Sequence, residues 1–135
     1  MSFLLDTHAA IWLDAGFPLV TTARTEIERA AADAGVFLSP VTAWEAALLV
    51  SKGRIRLPQA PFEWFEQFLQ RPGMRLAPLE PWAAVDAASL PGMLHGDPAD
   101  RFLIATARHF DLTLVTRDRR ILAYAETGAV RALRC

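Results

Sequence analysis

Residues 3–13 read Phe3-Leu4-Leu5-Asp6-Thr7-His8-Ala9-Ala10-Ile11-Trp12-Leu13. A short apolar run predicts a buried strand at 3–5, and the spacing from Thr7 onward predicts a helix. Between them stands one aspartate. A strand, a carboxylate and a helix in that order form the opening unit of a sheet whose strands are joined by helices.

The same alternation continues along the chain. Residues 22–34 are rich in helix formers and stop at Gly35, and Val36-Phe37-Leu38-Ser39 predicts a second buried strand. Pro40 and Thr42 open a helix over Ala43 to Val50. Phe62, Phe65, Phe68 and Leu69 share one face of a helix starting at Pro61, and Met74 to Leu79 suggests a third short strand. Helices are expected over 81–88 and 98–110, a strand over 112–116, a short helix over 119–124 and an edge strand within 128–133. Short apolar strands alternating with such helices predict an α/β fold, a mostly parallel sheet of four to five strands with helices on both faces, in a single domain spanning 1–135.

Composition narrows the function classes. The 135 residues are 53% hydrophobic, enough for one core. The only cysteine is Cys135, which excludes an internal disulfide framework or a thiolate-rich zinc site and fits a reducing cytoplasm. The N-terminal apolar run is interrupted by Asp6 and His8 and is too short for a membrane span. Net charge is −1, so contacts with nucleic acid must be local. Lys52 is the only lysine among 14 basic residues, and no phosphate-binding loop ending in Gly-Lys-Ser/Thr is present.

The acidic residues carry the chemistry. Open parallel sheets place their sites beyond the carboxyl ends of the strands, where the strand order reverses. Asp6 follows the first strand, Glu45 lies in the helix after the second, and Asp118 comes two residues after Thr116, so all three belong to that edge. Asp97 and Asp100 bracket Pro98 at the start of the long helix. Singly, each aspartate is explained as a helix cap worth about 1 kcal/mol. Together the account changes, because carboxylates about 5 Å apart at an effective dielectric near 20 repel by roughly 3 kcal/mol per pair. An all-oxygen cluster without His or Cys then suits Mg²⁺ or Mn²⁺. Of the pair around Pro98, Asp97 is assigned mainly to the cap and Asp100 to the metal. The spacing of His8, His95 and His109 gives no metal-ligand pattern, and Trp12, Trp44, Trp64 and Trp82 are read as core or dimer-face residues.

These stretches resemble the PIN-domain ribonucleases, and more closely the VapC toxins of type II toxin-antitoxin pairs. The resemblance rests on Leu4-Leu5-Asp6-Thr7-His8, on Ser39 through Trp44-Glu45, and on Ser51-Lys52-Gly53-Arg54-Ile55. It continues with His95-Gly96-Asp97-Pro98-Ala99-Asp100-Arg101, Ile104-Ala105-Thr106-Ala107 and Leu114-Val115-Thr116-Arg117-Asp118. It implies a three-layer α/β/α sandwich, a pocket of acids holding Mg²⁺ or Mn²⁺, and endonucleolytic cleavage of RNA. By position Asp6, Glu45, Asp100 and Asp118 match the family's acidic quartet, Thr116 its hydroxyl residue, and Asp97 an additional acid. Implied partners are RNA, a cognate antitoxin laying an apolar segment along a groove, and a second copy of the chain. Phe62, Trp64, Phe65 and Phe68 lie on more than one side of their helix, which suggests a contact surface. Lys52, Arg54, Arg56, Arg117 and Arg119 are candidate RNA contacts, with Arg101 and Arg120 as further cations near the same edge.

Two other acid-at-strand-end chemistries fit poorly. A phosphoacceptor receiver domain needs an aspartate after strand three and a later lysine, but that strand ends in Ala77-Pro78-Leu79 and no lysine follows Lys52. An Asp-x-Asp phosphatase fails because Asp6 is followed by Thr7-His8. The remaining alternative is a non-enzymatic interaction domain whose acids are only caps.

Overall fold

A computed structural model describes residues 1–92 and 96–135. The first position of the His95-to-Arg101 motif therefore lies outside the described residues. In chain order the elements are β1 (Phe3–Leu5), α1 (Thr7–Ala15), α2 (Thr21–Ala31), β2 (Val36–Leu38), α3 (Pro40–Ser51) and α4 (Pro61–Leu69). They continue with β3 (Met74–Leu76), α5 (Pro81–Ala88), α6 (Pro98–His109), β4 (Thr113–Thr116), α7 (Arg119–Ala125) and β5 (Arg131–Arg134). The five strands form one sheet in the order β3-β2-β1-β4-β5, and every neighbouring pair is parallel.

Alternation along the strands builds two cores, one on each face. Phe3 and Leu5 of β1, Val36 and Leu38 of β2 and Val115 of β4 pack with α1, α2 and the Trp64, Phe65 and Phe68 side of α4. Leu4 and Leu114 point the other way and pack with Ala83, Leu103, Ile104 and Ile121 from α5, α6 and α7. That gives the expected three layers, with α3 contributing Val41 to one core and Ala46 to the other. Burial of both faces explains why these strands are continuous apolar runs rather than half-polar ones.

Three boundaries shift for identifiable reasons. The third strand stops at Leu76, because Pro78 has no N–H with which to extend a ladder. The last strand begins at Arg131 after a turn in which Gly128 takes φ +86°. Helix α2 ends at Ala31, three residues before the expected stop, and Ala34 takes the left-handed conformation in the turn to β2. One glycine is required by the packing of the layers. Gly73, at φ +85°, lies so close to the end of α2 that a Cβ would approach the Ala31 carbonyl oxygen to 2.2 Å.

The aromatic expectations divide. Trp64 is 2% exposed, donates its indole N–H to Asp14 at 2.8 Å, and Asp14 also pairs with Arg71 at 2.6 Å. Trp44 and Trp82 are more than half exposed, so the core reading fails for both. On α4, Trp64, Phe65 and Phe68 are all absorbed by this domain's own core, which leaves Phe62 alone facing outward at 70% exposure.

The central strands are expected to carry the stability. Leu114→Ala, at a fully buried position of β4, should cost about 2–5 kcal/mol in denaturant unfolding. Leu76→Ala, on the exposed edge strand, should cost about 1 kcal/mol or less.

Candidate active site

The strand order reverses at β1, whose neighbours are β2 on one side and β4 on the other. At this junction the Asp6 N–H donates to the Val115 carbonyl at 3.0 Å, continuing the ladder one residue past β1 and fixing Asp6 on the carboxyl edge. Its carboxylate is used on both sides. Oδ1 accepts from the His8 N–H at 2.8 Å and caps α1, while Oδ2 accepts from the Thr116 hydroxyl at 2.5 Å. The same Thr116 oxygen accepts from the Asp118 N–H at 3.0 Å, so one fully buried hydroxyl ties the first acid to the last.

Two further acids on this edge are caps as well. Asp118 Oδ1 accepts from the N–H groups of Arg120 and Ile121 at the start of α7. Asp97 Oδ1 accepts from those of Ala99 and Asp100 at the start of α6. The capping reading of Asp6, Asp97 and Asp118 is thus realised, and in Asp97 and Asp118 it occupies Oδ1 and leaves Oδ2 out of the capping bonds. Asp100, one turn into α6, is 9% exposed. Helix α6 packs against α3, which carries Glu45 and is itself capped by Ser39. This packing decides what spacing alone left open, the placement of the Pro98 pair relative to the sheet.

Asp6, Glu45, Asp97, Asp100 and Asp118 line one cavity of about 380 Å³, together with His8, Trp12 and Arg117. Burial pushes the Asp6 carboxyl above its ordinary value, opposed by the hydrogen bonds from Thr116 and His8. Burial also raises Glu45, and the charges of Asp6 and Asp97 raise it further, against lowering by the Thr7 hydroxyl. Glu45 therefore shares a field with acids from β1 and α6. The Thr7 hydroxyl lies in turn 3.3 Å from that of Thr42, one turn before Glu45, with both threonines fully buried.

Among the described residues, no three His, Cys, Asp or Glu side chains are arranged to grip one ion directly. The acids wall the cavity rather than meeting at a point. The donor set still fits a hard divalent cation, since five carboxylates line the cavity against one imidazole, His8, and the cavity leaves room for the several waters that Mg²⁺ retains. Asp6, Glu45, Asp100 and Asp118, with Asp97, are the residues that could hold such an ion.

Of the candidate cations only Arg117 lines the cavity. Lys52, Arg54, Arg56 and Arg119 are exposed outside it. Arg101 ties α6 to the end of α5 by donating to the Ala87 and Ala88 carbonyls. Trp12, read as a core or dimer-face residue, packs partly on the core and also lines the cavity. Its signal in the sequence was the spacing Asp6, His8, Trp12, which puts the last two on one helix face beside the cap.

Comparison with known proteins bears on the family and the fold. The PIN domain model matches residues 3–127. Ribonuclease VapC22 of Mycobacterium tuberculosis (strain ATCC 25618 / H37Rv) is 32% identical over 121 residues, covering 90% of each chain. Among solved structures, VapBC2 from Rickettsia felis bound to a DNA fragment from their promoter superposes with TM-score 0.72 at 16% identity, covering 99% of this chain and 98% of that one. DNA-bound VapBC from Salmonella typhimurium gives 0.71 at 18% identity, with the same coverage. At these identities the structural matches establish the fold alone.

The electrostatics of Asp6 predict an unusual stability response. A carboxyl raised in the folded state binds its proton more tightly there than in the unfolded chain, so metal-free protein should lose stability as pH rises from the ordinary carboxylate range through the raised value. Asp6→Asn removes the charge and keeps one acceptor oxygen for the cap but not a second for the Thr116 hydroxyl, so in EDTA its thermal unfolding should lack this pH dependence, and its Tm relative to wild type should rise as pH rises through the raised value. Thr116→Val should cost about 1–3 kcal/mol by leaving the Asp118 N–H without its acceptor.

Proposed function

The chain belongs to the PIN-domain family, and from that premise we propose that it is a divalent-metal-dependent endoribonuclease, the toxin of a type II toxin-antitoxin pair acting in the cytoplasm. The observation that carries this reading is the gathering of five carboxylates from four separate parts of the chain around one cavity at the strand-order reversal. Caps alone do not require that convergence. The name of the 32% identical relative, a ribonuclease, supports RNA as the substrate, and the VapBC complexes among the structural neighbours support an antitoxin partner.

In this proposal residues 1–135 act as one domain, and Asp6, Glu45, Asp100 and Asp118 hold Mg²⁺ or Mn²⁺, with Asp97 beside them. When bound, the ion would supply a lowered pKa for an attacking water and neutralise charge building on the phosphodiester. The chain's own residues do the rest. Thr116 fixes the Asp6 carboxylate by a hydrogen bond, so its orientation is set before any ligand arrives. Whichever of these acids stays off the ion can take the proton that the attacking water loses. No nucleophilic side chain is needed.

Exposed Trp44 and Phe62 support a protein-contact surface on α3 and α4, where an antitoxin or a second copy would sit. No helix among the described residues is long and apolar enough to cross a membrane. The observation that favours a non-catalytic interaction domain is that Asp6, Asp97 and Asp118 all serve as caps.

The two readings separate in an RNA cleavage assay. Purified protein is expected to cut RNA with Mg²⁺ or Mn²⁺, to stop on addition of EDTA, and to lose roughly a hundredfold or more of its rate in Asp6→Asn while staying folded. Full activity in that variant sinks the metal-site reading. The Pro98 pair should split by role: Asp97→Ala should cost about 1 kcal/mol of stability as a lost cap, whereas Asp100→Asn should lower cleavage more than stability. The reverse ranking, measured by thermal unfolding alongside cleavage rate, would overturn the division.

A further inference from the structure

His8 is a cavity side chain for which the metal-site reading has no use. It is the second residue of α1, where its backbone N–H donates to the capping oxygen of Asp6, and its imidazole lines the cavity beside the five carboxylates. The residue is exposed, and it is near enough to Asp6 and Glu45 for its charge to lower the proton affinity of both. Even so, among the described residues its side chain forms no hydrogen bond and no ion pair. What it does contact is the Trp12 ring, one turn further along the same helix face, at 5.6 Å between centroids and 46° between planes. Trp12 is steadied in turn by the core beneath it and by the Arg117 guanidinium, 4.3 Å from its centroid, which is anchored on the Pro18 and Cys135 carbonyls.

An exposed ring seated on a fixed second ring, at the mouth of a strongly acidic cavity, suits some ligands better than others. A phosphate is repelled there by the carboxylates unless a cation intervenes. A nucleobase carries no charge, and every base has a face that stacks on an aromatic ring, imidazole included. Contact with Trp12 restricts the imidazole before any ligand arrives, so less side-chain freedom is lost on stacking. We propose that His8, seated against Trp12, is a stacking shelf for one base of the RNA beside the bond being cut. This rests on the endoribonuclease reading and adds to it a residue that positions the strand through a base rather than through the backbone.

The test is a cycle between protein and RNA. A single-stranded RNA that the protein cuts at one bond is compared with versions lacking the base at one ribose at a time around that bond, and kcat/KM is measured at saturating Mg²⁺. On the intact RNA, His8→Ala should lower kcat/KM about tenfold, whereas His8→Phe, which keeps a ring and removes the charge, should stay within about threefold of wild type. At a single position near the cut, loss of the base should shrink the His8→Ala penalty to about twofold or less, while at the other positions the penalty persists in full. If His8 serves as a counter-charge to the acids or as a proton carrier, His8→Phe will be as slow as His8→Ala and the penalty will be equal at every position; either result overturns the shelf. So does His8→Ala within about twofold of wild type on the intact RNA. If wild-type protein cuts no RNA, the endoribonuclease reading falls and the shelf with it; if it cuts and no position shows the coupling, only the shelf falls.

Discussion

Asp6 and Asp118 are 112 positions apart in sequence, and one hydroxyl connects them. The Thr116 oxygen donates to the first acid and accepts from the backbone of the last, with the residue fully buried at the end of β4. Its position follows from the parallel pairing of β1 with β4, in which Leu5 is the register partner of Val115. Were the register to slip by one residue, Leu114 and Val115 would exchange faces and the Thr116 hydroxyl would turn away from Asp6. The cores on the two faces of the sheet therefore enforce the geometry of the acidic edge. A fully buried residue on either strand is a constraint on the site as much as on the fold.

The acids on this edge are economical in their use of atoms. Capping needs one oxygen to accept backbone N–H groups, and a carboxylate has two. In Asp97 and Asp118 the capping bonds converge on Oδ1, and in Asp6 the second oxygen is held by Thr116. A cap also anchors its side chain at a helix N-terminus, where backbone dipoles favour negative charge. That partly offsets the repulsion of gathering several carboxylates in one place. The structural and chemical explanations of these residues are therefore compatible, and the caps relieve part of the cluster's repulsion.

How much of this was legible in the sequence follows from which contacts are local. Strand, aspartate and helix at residues 3–13 are neighbours along the chain, so the strand end and the cap could be read together. The same holds for Asp97-Pro98 and for Thr116-Arg117-Asp118. Helix α6 was different, because its packing against α3 is what brings Asp97 and Asp100 towards Glu45, and no local pattern encodes that. Trp12 was legible only in part for a related reason. A tryptophan among alanine, isoleucine and leucine reads as core, and Trp12 does pack on the core, while its contact with Arg117 from the far end of the chain has no local signal. Trp44 and Trp82 show the limit of apolar periodicity: the helix face they share with other apolar residues is wide enough that part of it stays in solvent.

The treatment of charge around the cavity completes the physical account. At 4 Å and an effective dielectric near 20 a guanidinium and a carboxylate attract by about 4 kcal/mol, before solvent screening of an exposed arginine reduces it. Pairing Arg117 with a cavity acid would thus have been a simple way to calm the cluster, and it would also have filled the space with a fixed cation. The chain instead spends the guanidinium on an indole and two carbonyls, and leaves the desolvated Asp6 and Glu45 carboxyls to bear raised proton affinities. Repulsion among the gathered acids is a disadvantage for stability alone, and His8 beside Asp6 and Glu45 relieves part of it. In the proposed nuclease a small dication would supply further counter-charge.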